Sequence, residues 1–152
     1  MRVDQICTHA VVTCGRDASA LEIARIMRDR HVGDVIVVDD SDGGARPVGI
    51  VTDRDLAVRV LARGVDPALL SAADLIRGEL ELALASEFAF DAICHMRMKG
   101  VRRLPVVDAR CLLLGILTAD DVTRFLTEEL SALARVVPRQ IQREEAELDP
   151  VG

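Results

Sequence analysis

A phrase of the form Gly-apolar-apolar-Thr-x-x-Asp occurs twice in this chain, and that repetition restricts the fold more than any other feature. Residues 49–55 read Gly-Ile-Val-Thr-Asp-Arg-Asp, and residues 115–121 read Gly-Ile-Leu-Thr-Ala-Asp-Asp. Thr52 returns as Thr118 and Asp55 as Asp121, each 66 positions on. Upstream the offset is 69: Val35-Ile36-Val37-Val38-Asp39 aligns with Leu104-Pro105-Val106-Val107-Asp108, and residues 3–7 align with 72–76. The three-residue difference falls between Asp39 and Gly49. There Asp40-Ser41-Asp42-Gly43-Gly44 is rich in turn formers, and the second copy has a shorter connection at Ala109-Arg110. Length changes belong in surface hairpins. The chain is therefore a tandem of two units, each a little under 70 residues. One such unit buries only about 60% of its unfolded surface and is marginal alone, so the two are expected to share a core.

Each unit reads strand–helix–strand–strand–helix. In the first, residues 11–13 form a short strand, and Ser19-x-x-Glu22 is a capping box for a helix running to Arg30, with His31 closing its C-terminal end. Residues 34–38 are a continuous β-branched run, hence a strand buried on both faces, and residues 47–51 form the next strand. Thr52 then opens a helix through Leu61 that Gly64 stops, and residues 64–71 read as a short helical linker. In the second unit the counterparts are 80–84, a helix over 88–98 ended by Gly100, strands at 103–107 and 112–117, and a helix capped by Thr118. Val122, Phe125, Leu126, Leu130, Leu133 and Val137 continue that helix as an apolar stripe. Pro138 is expected to end or kink it, and the acidic stretch 144–152 is expected to fray. The predicted division is 1–65, 66–127, and a helical extension and tail over 128–152.

Composition excludes several classes. No apolar run is long enough to span a bilayer, and residues 1–5 carry no signal-peptide core, so a cytoplasmic protein with no membrane partner is expected. A net charge of −6, with no Trp or Tyr, disfavours nucleic acid. Lys99 is the only lysine; neither a P-loop nor a G-x-G-x-x-G fingerprint is present. The four cysteines, Cys7, Cys14, Cys94 and Cys111, form no C-x-x-C pair and read as reduced thiols.

The two phrases, together with Gly100-Val101-Arg102-Arg103-Leu104-Pro105-Val106-Val107-Asp108, make the chain resemble a CBS-domain pair, or Bateman module, over roughly residues 1–127. The family's usual methionine in the opening helix of each repeat is replaced here at Cys7 and Ile76. The resemblance implies an α/β (α+β) fold of two β-α-β-β-α repeats related by a pseudo-twofold axis, plus a C-terminal helix. It also implies a regulatory module, not an enzyme, that binds an adenosyl ligand and acts on a separate effector protein. AMP, ADP or ATP stand ahead of NAD(H) or S-adenosylmethionine, and no resident cofactor is required.

Thr-x-x-Asp has two physical readings. As a cap, Thr and the acid three residues on satisfy orphan helix N–H groups, worth about 1 kcal/mol per copy. As a site, the helix N-terminus and Thr hydroxyl suit phosphate, while Asp accepts from ribose hydroxyls. The resemblance assigns the second role to Thr52 with Asp55 and to Thr118 with Asp121. Arg102 and Arg103 are then expected at the inter-repeat cleft as phosphate ligands. Their counterparts, Gly33 and Asp34, carry no positive charge, so one competent and one weak or empty site are expected. With no aromatic partner, adenine would rest near Thr13, Cys14 and Val35 in one cleft, or Ala83 and Leu104 in the other.

Three further constellations compete. Cys7, His9 and Cys14 offer a zinc set without a fourth ligand. Cys94 and His95, adjacent on a helix, diverge by about 100° and make a poor nucleophile–base pair. The C-terminal amphipathic helix suits a homodimer contact, or a module that only binds proteins.

Overall fold

The computed structural model describes residues 1–41 and 43–148, so Asp42 of the turn-rich loop and the last four residues of the predicted frayed tail lie outside the described residues. The order is α1 (Val3–Ile6), β1 (Thr13–Gly15), α2 (Ala20–Arg30), β2 (Asp34–Asp39), β3 (Arg46–Thr52), and α3 (Asp53–Asp55) running on as a π-helical segment over Leu56–Leu61. There follow α4 (Ala72–Leu75), β4 (Ala83–Leu84), α5 (Ala89–Lys99), β5 (Arg103–Val107), β6 (Leu113–Thr118), α6 (Ala119–Ala134) and α7 (Val136–Leu148). The strands make two three-stranded sheets, β1-β2-β3 and β4-β5-β6, each with a parallel first pair and an antiparallel second pair. The fold is the expected mixed α/β tandem.

Register reproduces the duplication residue by residue. Asp34 pairs with Thr52 and Val37 with Gly49; Arg103 pairs with Thr118 and Val106 with Gly115. Each hairpin then carries a bulge at the same step, between Val37 and Val38 and between Val106 and Val107. The change of offset lies beyond the bulge, in the hairpin loop.

β2 is buried on both faces, as its β-branched run requires. Val35 and Val37 pack on Ile23 and Met27 of α2. Ile36 and Val38 face the other way, onto Ile116 and its neighbours Leu113, Val11 and Ile50, and so tie the two sheets together. The opening helices are exchanged. Val3 of α1 lies in the core of the second repeat with Leu104, Met96 and Leu117, while Ala72 and Leu75 of α4 lie in the core of the first with Val35 and Ile23.

Local signals were mostly obeyed. Ser19 and Glu22 form the capping box, and His31 ends α2 in the left-handed region at φ 54°, its N–H donating to the carbonyl of Met27. Five expectations are corrected. The first strand begins at Thr13 instead of Val11, where it meets β2, and its counterpart begins at Ala83 instead of Leu80, where it meets β5. Residues 64–71 are turns, not a helix, with Gly64 at φ +63°. The helix break comes at Arg135, before Pro138, which sits in the first turn of α7, where its missing N–H costs nothing. Residues 144–148 continue α7. No helix among the described residues is long and apolar enough to cross a membrane.

Candidate functional site

Both Thr-x-x-Asp corners close the same local ring. The Thr52 hydroxyl and N–H donate to Asp55 Oδ2 at 2.8 and 2.9 Å, and the Asp55 N–H donates back to Thr52 Oγ1 at 3.2 Å. At the second corner the distances are 2.7, 3.0 and 3.2 Å. The next N–H is also used, because Asp53 donates to the Gly33 carbonyl at 3.0 Å and Ala119 to that of Arg102 at 2.9 Å. The capping reading therefore holds for both copies. Each corner has one carboxylate oxygen left over.

Those two oxygens differ. Asp121 Oδ1 accepts from Arg124 Nη2 at 2.7 Å and lies 3.5 Å from the Thr8 hydroxyl, and the residue is only 5% exposed. Asp55 Oδ1 accepts from no protein donor among the described residues, and Asp55 is half-buried. Sequence explains the difference: Val58 stands where the second copy has Arg124, and Arg77 stands where the first has Thr8.

The leader of each repeat, the segment before its first strand, crosses the last strand of the other repeat. Thr8 bridges Ile116 through two backbone hydrogen bonds of 2.9 Å, and His9 Nδ1 lies 3.2 Å from the Leu114 carbonyl, so the crevice beside β6 is filled. Close approach explains both glycines of the repeated phrase. A Cβ on Gly115 would lie 2.8 Å from the Thr8 carbonyl oxygen, and one on Gly49 would lie 2.1 Å from Ile76 Cγ2. On the Gly49 side, however, the leader turns away at Gly78, whose φ is +66°. A cavity of about 190 Å³ remains, lined by Val48, Gly49, Ile50, Val101, Arg103 and residues 77–81.

The lining of this crevice carries both signs of charge, with Arg77 and Arg103 against Glu79 and Glu81 in number. Glu81 accepts from His95 Nε2 at 2.7 Å and Lys99 Nζ at 2.8 Å, and the Lys99 and His95 hydrogen bonds hold its carboxyl below the usual glutamate range. Arg103 Nε donates to Asp34 Oδ2 at 2.5 Å.

The remaining candidate residues fall elsewhere. Arg102 is exposed on a different groove of about 420 Å³, between α5 and α6, so the two arginines do not converge. Cys14, Val35, Ala83 and Leu104 are core side chains, which leaves only their backbone to meet a ligand, and Thr13 is exposed at the start of β1. Cys7, His9 and Cys14 do not assemble a metal set. Cys7 Sγ is 4.0 Å from His9 Nε2, but Cys14 is buried in the first repeat's core, and no group of three potential ligands occurs among the described residues. Burial, then Asp4, raises the Cys7 thiol above its ordinary value, and burial, then Glu22, raises that of Cys14. His95 is engaged by Glu81 and not by Cys94. Sequence reasoning missed Arg77, Glu79 and Glu81; the available signal was the alignment of Arg77 with Thr8.

A family model for the CBS domain matches residues 3–62 and again 72–128. The chain belongs to the CBS-domain family. A relative in Methanopyrus kandleri, the uncharacterised protein MK0525, is 33% identical over 120 residues, which cover 79% of this chain and 60% of the relative. Hypoxic response protein 1 of Mycobacterium tuberculosis is 33% identical over 121 residues, covering 79% of this chain and 82% of that protein. A crystal structure of hypoxic response protein I with two coordinated zinc ions matches at TM-score 0.70 and 28% identity, over 82% of this chain and 98% of that one. The CBS domain protein PAE2072 of Pyrobaculum aerophilum, complexed with AMP, matches the fold at TM-score 0.71 and 23% identity, over 80% of this chain and 89% of that one.

Proposed function

We propose that this CBS pair is a regulatory module that binds one adenine nucleotide of the AMP type per chain, in the crevice beside β3, and reports its occupancy to a separate protein. The observation that carries this reading is the inequality of the two corners. Asp55 keeps an unclaimed carboxylate oxygen, and a crevice lined by Gly49, Ile50 and Arg103 stays open beside β3, although neither Thr52 nor Asp55 is among its lining residues; Asp121 is occupied by Arg124 and Thr8. In this reading Asp55 accepts from the ribose, Thr52 helps to orient it, and Arg103 meets the phosphate. The crevice is smaller than a typical ligand pocket of about 300 Å³ or more, so the leader at residues 77–81 moves outward on binding. Bound AMP in a structural relative of the same fold supports the ligand class.

Isothermal titration of the full chain with AMP tests this. One site per chain is expected, with binding lost in Asp55→Ala and kept in Asp121→Asn. Two equal sites, or loss in Asp121→Asn alone, would overturn it.

We further propose that the module is a homodimer. Leu130 and Leu133 of α6 and Val136, Val137 and Ile141 of α7 are exposed, as expected of a helical surface awaiting a partner.

A further inference from the structure

Asp34 and Arg103 occupy equivalent positions of the two repeats, each paired in register with the Thr of its own Thr-x-x-Asp corner. Duplication would normally leave like residues there. Here one copy has become an acid and the other a base, and the two meet: Arg103 Nε donates to Asp34 Oδ2 at 2.5 Å. Among the described residues this is the only ion pair that joins one repeat to the other. It is neither buried nor free, with Arg103 37% and Asp34 22% exposed at their side chains.

Arg103 also lines the crevice, and Asp34 does not. The pair uses one of the five donors of the guanidinium. Nη1 and Nη2 of Arg103 donate to no protein group among the described residues. The cation is thus held from one edge by a carboxylate while its other edge is available to whatever enters the crevice.

We infer that Asp34 is a resident competitor for the cation that a ligand's phosphate needs, so that a phosphate-bearing ligand, and not the bare nucleoside, opens the single ion pair between the repeats. This rests on the nucleotide-binding reading above. A phosphate engages a guanidinium best through two parallel N–H donors, a geometry the one-donor contact with Asp34 does not use. A phosphate and a carboxylate on the same guanidinium repel one another, and the rest of the crevice, where Arg77 and Lys99 are matched by Glu79 and Glu81, has no surplus positive charge to relieve them. The phosphate therefore displaces Asp34. A ligand shifts a conformational equilibrium only through its different affinity for the two states, and here that difference comes from the phosphate. Adenosine alone would occupy the crevice and leave the pair closed.

The test compares AMP with adenosine by calorimetric titration of the full chain, as wild type, Asp34→Asn and Arg103→Gln. Asp34→Asn is expected to bind AMP about tenfold more tightly than wild type and adenosine with unchanged affinity. Arg103→Gln is expected to lose the preference for AMP over adenosine. In wild type the Arg103 Nε–Hε nuclear magnetic resonance signal is expected to shift with AMP and to stay with adenosine. If Asp34→Asn binds AMP more weakly, or within about twofold of wild type, Asp34 is not a competitor and the inference fails while the site stands. If AMP binds Asp34→Asn but not wild type, Asp34 is a complete block and the inference is upheld. If neither ligand binds any of the three proteins, the site reading itself is wrong and the inference falls with it.

Discussion

The two Thr-x-x-Asp corners look identical in sequence, yet removing their acids should cost different amounts. In Asp121→Ala the Thr118 cap survives, because the backbone N–H of residue 121 still donates to Thr118 Oγ1, but the carboxylate half of the capping box is lost. The Thr118 hydroxyl and N–H, part-buried and both donating to Asp121 Oδ2, are left without an acceptor, which costs about 1–3 kcal/mol. Arg124 is largely exposed and contributes little once screened. The total is about 1–3 kcal/mol, or a melting-temperature fall of roughly 2–12 °C for a domain of this size. In Asp55→Ala the same carboxylate is lost from a corner more open to water, where solvent can replace it, and the Thr52 cap on the N–H of residue 55 is kept. The expected cost there is about 0.5 kcal/mol, roughly 1–2 °C. Thermal melts followed by circular dichroism give the two melting temperatures, and urea unfolding shows whether the slope is unchanged, so that the two variants can be compared. Should the two variants melt within about 1 °C of each other, the crowding of Asp121 by Thr8 and Arg124 would have no energetic meaning, and the argument for unequal corners would fail.

Other expectations are more local. Gly49→Ala forces a methyl against the branched carbon of Ile76 and should destabilise by about 1–3 kcal/mol, read as a lower urea midpoint; a neutral result would mean that the leader shifts freely. Glu81 binds its proton less readily in the folded chain than unfolded, because Lys99 and His95 donate to it. Its contribution is therefore present above the ordinary glutamate value of 4.5 and is lost as pH falls below it, so Glu81→Gln should narrow the gap to wild type in melting curves taken below that pH. A gap that widens on acidification would refute this. Deleting residues 128–152 should leave a monomer by light scattering, and an unchanged dimer would remove α7 and the second half of α6 from the contact.

The fold was legible because its signals are local and duplicated. The capping box at Ser19, the β-branched run of β2 and the repeated offset fixed helices, strands and even the hairpin that carries the insertion. The misread segments are those where a local signal had two outcomes. Pro138 can end a helix or sit in its first turn, and the chain does the second. The candidate site was legible only in part. Thr52 and Asp55 were visible as a motif, but the filling of the other cleft depends on Thr8 reaching Ile116 across more than 100 residues. Arg102 and Arg103 read as a pair, yet they line different cavities. The partnership of Arg103 with Asp34 was hidden in plain view, since the alignment itself had set the two side by side.

The exchange of opening helices has an evolutionary edge. Val3 completes its sister's interior and Ala72 with Leu75 completes the first, so a gene fragment encoding either half alone would make a protein with a hole in its middle. The duplicated unit can be copied, inserted or fused elsewhere only as a couple. Any ancestor consisting of one copy must have met another molecule of itself to be whole.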